Sequence, residues 1–184
     1  DDITYVDGTF EDAIMMNSGT SLMGNYFDVP YGVDAAYANS CAVWGAQGFS
    51  GLTTIYGYSV SAGFPNNSPD YSRTITLEEE QWNVLDLDWE FSGDFLLAIE
   101  VSTTVGVAID ADGAPGQNSW SNLGGWERWT DVANEYTLTD GEFGINANVT
   151  TVGGLTPAFN VYRSVNGSDP ILMFNGSNLN DNSY

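Results

Sequence analysis

Carboxylates are the first side chains in this sequence whose type and spacing could do chemistry. Asp7 and Glu11 stand in an opening turn, and Asp110-Ala111-Asp112-Gly113 sets two more acids at alternating spacing before a turn glycine. Hard oxygen donors of this kind suit calcium, and Asp94 or Glu142 are further acids that a sandwich can bring beside the opening turn. The Asp-x-Asp-Gly run lacks the third oxygen ligand and the distal glutamate of a calcium loop, and a solvated β-turn also produces it. Aromatic rings are the second group. Trp120, Trp126 and Trp129 fall within ten residues, with Arg128 between the last two and Tyr56 and Tyr58 on another segment. Exposed, such rings form a stacking platform for the C–H faces of sugars; buried, they fill a core or brace hairpins by cross-strand pairing. The third group is the Asn-x-Ser/Thr pattern at Asn66, Asn148, Asn166 and Asn175, the acceptor signature for N-glycosylation.

Missing residue types narrow the chemistry further. The sequence holds no histidine, and its three basic residues are Arg73, Arg128 and Arg163. It therefore has no Ser-His-Asp triad, no imidazole base, no histidine-type zinc site, and no lysine for a Schiff base or phosphate clamp. Cys41 is the single thiol, set in the small apolar run Ala38-Asn39-Ser40-Cys41-Ala42-Val43-Trp44, where nothing nearby lowers its pKa. Paired carboxylates, as in glycoside hydrolysis, are the enzymatic route left. Acids are so numerous that no pair stands out, and the expectation is a protein that is not an enzyme. A net charge of −22 on 184 residues repels nucleic-acid phosphates and anionic lipid headgroups, favours solubility, and attracts cations. No run approaches the ~18–20 apolar residues of a membrane span. The start at Asp1-Asp2-Ile3 is that of a processed chain, so an extracellular or cell-surface location without membrane insertion is expected.

The elements that must position these groups read as strands and turns. Gly51 to Ala62 (GLTTIYGYSVSA), Tyr71 to Leu77 (YSRTITL) and Trp82 to Trp89 (WNVLDLDW) alternate and are rich in β-branched and aromatic residues. Phe95 to Val101 (FLLAIEV) is apolar almost throughout, as in a strand covered on both faces. Further strands are expected at Val105 to Asp110, Glu127 to Asp131, Phe143 to Val149, Ala158 to Ser164 and Ile171 to Asn175, with brief helical character at Glu78 to Glu80 and Asp34 to Asn39. Twenty-one glycines and many Asn, Asp and Ser residues punctuate these runs. The spacing predicts an all-β jelly-roll sandwich over 1–152, then a linker and β-hairpin over 153–184.

Tyr5-Val6-Asp7-Gly8-Thr9-Phe10-Glu11 resembles the opening of jelly-roll modules found in large secreted bacterial proteins and related to the cleaved adhesin domains of gingipain-type proteins. Trp82-Asn83-Val84-Leu85-Asp86-Leu87 and Phe95-Leu96-Leu97-Ala98-Ile99-Glu100 are similar to two later strands of such modules, with alanine where glycine is usual. Val107 to Gly113, Ser119-Trp120 and Trp126-Glu127 are similar to their Asp-rich turn and aromatic hairpin. Beyond Val152, Phe159-Asn160-Val161-Tyr162-Arg163-Ser164 resembles a middle strand of a fibronectin type III domain, which would need about sixty more residues to be whole. An isolated hairpin is marginal in water. Phe159, Val161, Tyr162, Ile171, Met173 and Phe174 are accordingly expected to pack on the jelly roll or on a neighbouring subunit, as in strand complementation. The resemblance and the hairpin together imply a structural or adhesive extracellular protein, a self-assembling surface filament subunit or one that binds another extracellular protein. A carbohydrate-binding module of a larger secreted protein is the alternative, with glycans as partner and calcium as the cofactor to look for.

Overall fold

Period-two alternation of apolar and polar residues folds the chain into antiparallel strands, because each strand then offers one apolar face to bury. The computed structural model describes residues 2–30, 33–112 and 116–153 in full, and 159–163 and 171–176 by their backbone. Among the described residues every strand pairing is antiparallel. One sheet has four strands: β1 (Asp2–Ile3), β14 (Ile145–Val152), β4 (Ala35–Trp44) and β8 (Trp82–Phe91), in that order. The larger sheet runs β12 (Trp126–Arg128), β11 (Ser119–Asn122), β3 (Ser21–Phe27), β9 (Phe95–Val101), β5 (Gly51–Ser61) and β6 (Phe64–Pro65), with β7 (Tyr71–Leu77) also paired to β5. A small third sheet orders β13 (Glu142–Phe143), β10 (Val107–Asp110) and β2 (Asp12–Ile14). Finally β15 (Phe159–Arg163) and β16 (Ile171–Gly176) pair as a two-stranded sheet of their own. The fold is an all-β sandwich. Among the described residues no helix is long and apolar enough to cross a membrane.

The main core lies between the two large sheets. Met23, Phe27, Ile55, Leu97 and Ile99 of the larger sheet meet Ala38, Cys41, Val43, Leu87, Trp89 and Phe91 of the smaller. Phe91 and Phe95 stack with ring centroids 4.6 Å apart, and Phe27 stacks on Phe95 at 5.2 Å. Burying such side chains contributes about 1.5–3 kcal/mol each. Strand β9 explains its own continuous apolarity. Phe95, Leu97 and Ile99 enter the main core, while Leu96 and Ala98 point the other way into a second cluster with Tyr58 and Trp120. The larger sheet is therefore aromatic on its outer face as well.

Two local expectations are corrected. Residues 34–39 were to have helical character, yet Ala35–Trp44 is a central strand between β14 and β8. Ala36 and Ala38 are fully buried there, and tertiary packing overrides alanine's helix preference. Glu127 to Asp131 was expected as one strand, but β12 ends at Arg128 and helix α1 (Trp129–Tyr136) begins. Trp129, Val132 and Ala133 of α1 are buried, a spacing of i, i+3, i+4 that only a helix puts on one face. Thr137 closes the helix in the left-handed conformation, its N–H bonded to the Ala133 carbonyl.

Candidate functional site

The outer face of the larger sheet carries an aromatic cluster, and Phe10, Trp44 and Trp82 form another beside the smaller sheet. Gly24 of β3 pairs with Ala98 of β9 on one side and Trp120 of β11 on the other. A Cβ at Gly24 would lie 2.6 Å from the Leu97 carbonyl oxygen and 2.9 Å from the Ala98 Cβ, so only glycine lets the strands approach this closely. Trp120 joins Tyr58, Leu96 and Ala98 on this face and is 2% exposed. Arg128, its cross-strand partner, holds its guanidinium 5.2 Å from the Trp120 ring and donates to the Gln117 carbonyl at 2.7 Å. Phe64, 59% exposed, meets Trp120 edge-on at 5.6 Å. Half-buried Trp126 packs edge-on against Tyr58 at 5.1 Å and donates its indole N–H to the Asn66 carbonyl at 3.2 Å.

These groups enclose two hollows that share Trp120 and Arg128. The first, about 330 Å³, is bounded by Phe64, Trp126, Glu127 and Asp131. The second, about 280 Å³, is bounded by Tyr26, Asp28, Gln117 and Asn118. One half is aromatic and the other is lined by amide, hydroxyl and carboxylate groups. Burial and the neighbouring Asp94 charge raise the Asp28 carboxyl above its ordinary value, with Arg128 opposing them. Asp94 accepts the Tyr26 hydroxyl at 2.7 Å and the Val29 N–H at 2.8 Å, which fixes the floor of the polar half. Flat rings beside convergent hydrogen-bonding groups are what a sugar requires, its C–H face against the ring and its hydroxyls against the polar rim. A larger hollow of about 470 Å³ at Ile14, Met15, Leu123, Trp129 and Leu138 is mostly apolar and offers no comparable polar set.

The three predicted tryptophans separate in space. Trp126 and Trp120 share the cleft, the latter as its floor. Trp129 turns into the main core, is 1% exposed and donates its N–H to the Thr139 carbonyl at 3.0 Å. Phe64 was absent from the sequence expectation, its signal being only that a Phe-Pro pair closes the turn after Gly63. Of the two tyrosines named from sequence, Tyr58 packs against Trp126, and Tyr56 lies beside Tyr58 at 6.4 Å.

The carboxylates converge more fully. Asp7, Asp110 and Asp112 each place a carboxylate oxygen within 4.8 Å of the others. Asp110, 3% exposed, accepts the Asp7 N–H at 2.7 Å. Asp7 in turn accepts the Thr9 N–H and hydroxyl, both at 2.7 Å, which hold its carboxyl below the ordinary range. Glu11 accepts the Ala111 N–H at 2.8 Å. Glu11 and Asp7 charges, followed by burial and Asp110, raise the Asp112 carboxyl. Asp94 and Glu142 are engaged elsewhere. Glu142 accepts from the Asn118 N–H at 3.0 Å and from the Ser119 hydroxyl at 2.7 Å.

Among the predicted acceptor asparagines, Asn66 is exposed in the turn after β6, beside Trp126. Asn148 lies inside β14, where its side chain donates to Asp2 and accepts from Asn39, both at 2.8 Å. Asn166 and the side chain of Asn175 fall outside the described residues, as do the side chains of Phe159, Val161, Tyr162, Ile171, Met173 and Phe174. Cys41 is fully buried, and burial pushes its thiol up to about 12.

No family model and no curated protein matches this chain. Among the solved structures that resemble it are two of the clostridial cysteine protease Cwp84. One, obtained after propeptide cleavage, aligns with a TM-score of 0.56 at 17% identity over 77% of this chain and 38% of its own. The other holds the cysteine protease and lectin-like domains of Cwp84, described as a surface layer associated protein of Clostridium difficile. It aligns with a TM-score of 0.55 at 17% identity over 77% of this chain and 34% of its own. This chain spans little more than a third of either, and the aligned part is the lectin-like one. At that identity the likeness shows the sandwich fold; kinship with cleaved adhesin domains is not shown.

Proposed function

We propose that this chain is a non-enzymatic, carbohydrate-binding adhesive module of an extracellular or cell-surface protein. The observation that carries the reading is the cleft on the outer face of the larger sheet, where Phe64 and Trp126 stand beside Arg128, Asp131, Asp28 and Asn118. Two rings and a set of hydroxyl, amide and charged groups converge there on a volume suited to one or two sugar residues. The lectin-like neighbours support the same reading, since their aligned part shares this fold. A net charge of −22 turns away uronic and sulfated sugars, so the ligand class is a neutral or amino sugar.

The test is binding of the full chain to an array of neutral, amino and acidic glycans, repeated with Trp126→Ala and Phe64→Ala. Each truncation removes a ring at the surface, and a loss of about tenfold or more in affinity is expected for each. Failure of the unaltered chain to bind any glycan, or unchanged affinity in both variants, contradicts the proposal.

A second reading, self-association into a surface assembly, draws its support from β15 and β16, which among the described residues pair with each other alone. Such a hairpin gains stability when another apolar surface covers it, and a second copy of the chain is the occupant this reading names. Sedimentation velocity over a hundredfold range of concentration is expected to reveal oligomers that Val161→Asp dissolves. A monomer at every concentration rules the assembly out.

A further inference from the structure

We infer that the cleft on the outer face of the larger sheet takes an N-acetylated amino sugar, its acetamido group held between Arg128 and Asp28. This rests on the glycan-binding reading and names the sugar class within it. The two hollows of the cleft share Trp120 and Arg128, and the rest of their linings differ in chemistry. The first has Phe64 and Trp126, rings suited to the C–H face of a sugar. The second has Tyr26, Asp28, Gln117 and Asn118, groups suited to a polar substituent. A sugar ring seated in the first hollow extends a substituent past Arg128 into the second.

Hydrogen bonds made within the protein define what that substituent must offer. The Tyr26 hydroxyl hydrogen goes to Asp94 at 2.7 Å, so its oxygen is left to accept. The Asn118 side-chain nitrogen donates to Glu142 at 3.2 Å. Arg128 is anchored by the Gln117 carbonyl at 2.7 Å and by the Trp120 ring 5.2 Å from its guanidinium carbon, which leaves most of its five N–H donors unspent. Its charge acts on the Asp28 carboxylate through space, with no hydrogen bond joining the two. A charged donor and a charged acceptor thus line one hollow of about 280 Å³ without bonding each other. An amide links them from fixed, coplanar positions: its carbonyl accepts from Arg128, its N–H donates to Asp28, and its methyl group lies towards Trp120. The alternatives fit less well. A free ammonium only donates and stands against the Arg128 charge. A carboxylate only accepts and meets Asp28. A ring hydroxyl must serve both partners from a single atom.

Calorimetric titration of the full chain with diacetylchitobiose, with its unacetylated diamine and with cellobiose tests the assignment. Salt of about 0.3 M screens the general attraction of the acidic chain for a cationic sugar. Diacetylchitobiose is expected to bind about tenfold more tightly than either of the others. Asp28→Ala, at an exposed position, is expected to cut the preference over cellobiose to about threefold or less, chiefly by weakening the acetylated ligand. Asp28→Asn keeps an acceptor for the amide N–H and is expected to retain more of the preference than Asp28→Ala. An Asp28 that merely shaped the cleft would weaken both disaccharides alike, and that result overturns the inference. Equal affinity for diacetylchitobiose and cellobiose, or tighter binding of the diamine, also overturns it and leaves the glycan-binding reading standing. So does binding of some other glycan on the array but of none of these three. Binding of no glycan at all overturns both.

Discussion

Around Ser119 a single hydroxyl hydrogen faces two acceptors, the Asn25 Oδ1 at 2.9 Å and the Glu142 Oε2 at 2.7 Å, while the Phe143 N–H donates back to its oxygen at 2.8 Å. Asn25 spends its amide hydrogens on the Phe143 and Ile145 carbonyls, both at 2.9 Å, so this buried knot ties β3, β11, β13 and β14 together. It lacks one hydrogen when Glu142 is ionised. Burial raises the Glu142 carboxyl above its ordinary value, and hydrogen bonds from Ser119 and Asn118 only partly oppose this. A carboxyl whose folded pKa lies above its unfolded one binds more protons in the native state. Its contribution to stability is therefore full below the unfolded value and is lost as pH rises through the folded value. Glu142→Gln supplies the missing hydrogen and removes the buried charge. The variant is expected to unfold at an equal or higher temperature than the unaltered chain at pH 7, with the advantage shrinking as pH falls to 4; a lower melting temperature at pH 7 would refute this. Residue types alone gave part of the chemistry here. Asp7, Glu11, Asp110 and Asp112 were recognisable as oxygen donors, and the buried, inert character of Cys41 followed from its small apolar neighbours. That Asp7 and Asp110 touch across 103 positions was not, because the contact depends on strand order rather than on any local pattern.

Strands depend on what packs against each face. Gly24 shows the narrowest tolerance: a methyl group there would press on the backbone of Leu97 and on Ala98 across the β3–β9 pairing. Gly24→Ala is expected to cost about 1–3 kcal/mol, measured by denaturant unfolding, and to displace the Trp120 ring that lies on this row. An unchanged midpoint would mean that the strands part without penalty. Alternation made β5, β7 and β8 readable, and β9 was readable from its continuous apolar run, since its two faces enter two separate clusters. The same logic missed β3 and β4. In β3, Gly24 and Asn25 interrupt the apolar pattern, yet both are buried, one for close approach and one for hydrogen bonding. In β4, small alanines carry a weak local preference that packing overrides. Helix α1 was hidden because Glu127 to Asp131 reads as one strand, while the i, i+3, i+4 spacing of Trp129, Val132 and Ala133 was the signal of a helix.

At the scale of the molecule, the sandwich leaves an aromatic cleft open on the outer face of the larger sheet, and the proposed ligand binds there. The acidic charge keeps the exposed Phe64 ring and the half-buried Trp126 beside it from associating indiscriminately. The all-β class was legible from strand spacing. The division of Trp120, Trp126 and Trp129 between surface and core was not, because burial is decided by a strand-to-helix change three residues wide. The most direct test follows the side-chain indole N–H resonances of the six tryptophans during titration with a glycan that the array identifies. Trp126 is expected to shift most and Trp120 next, while Trp129 stays in place. Shifts centred on Trp44 and Trp82 instead, or on none of the six, would contradict it.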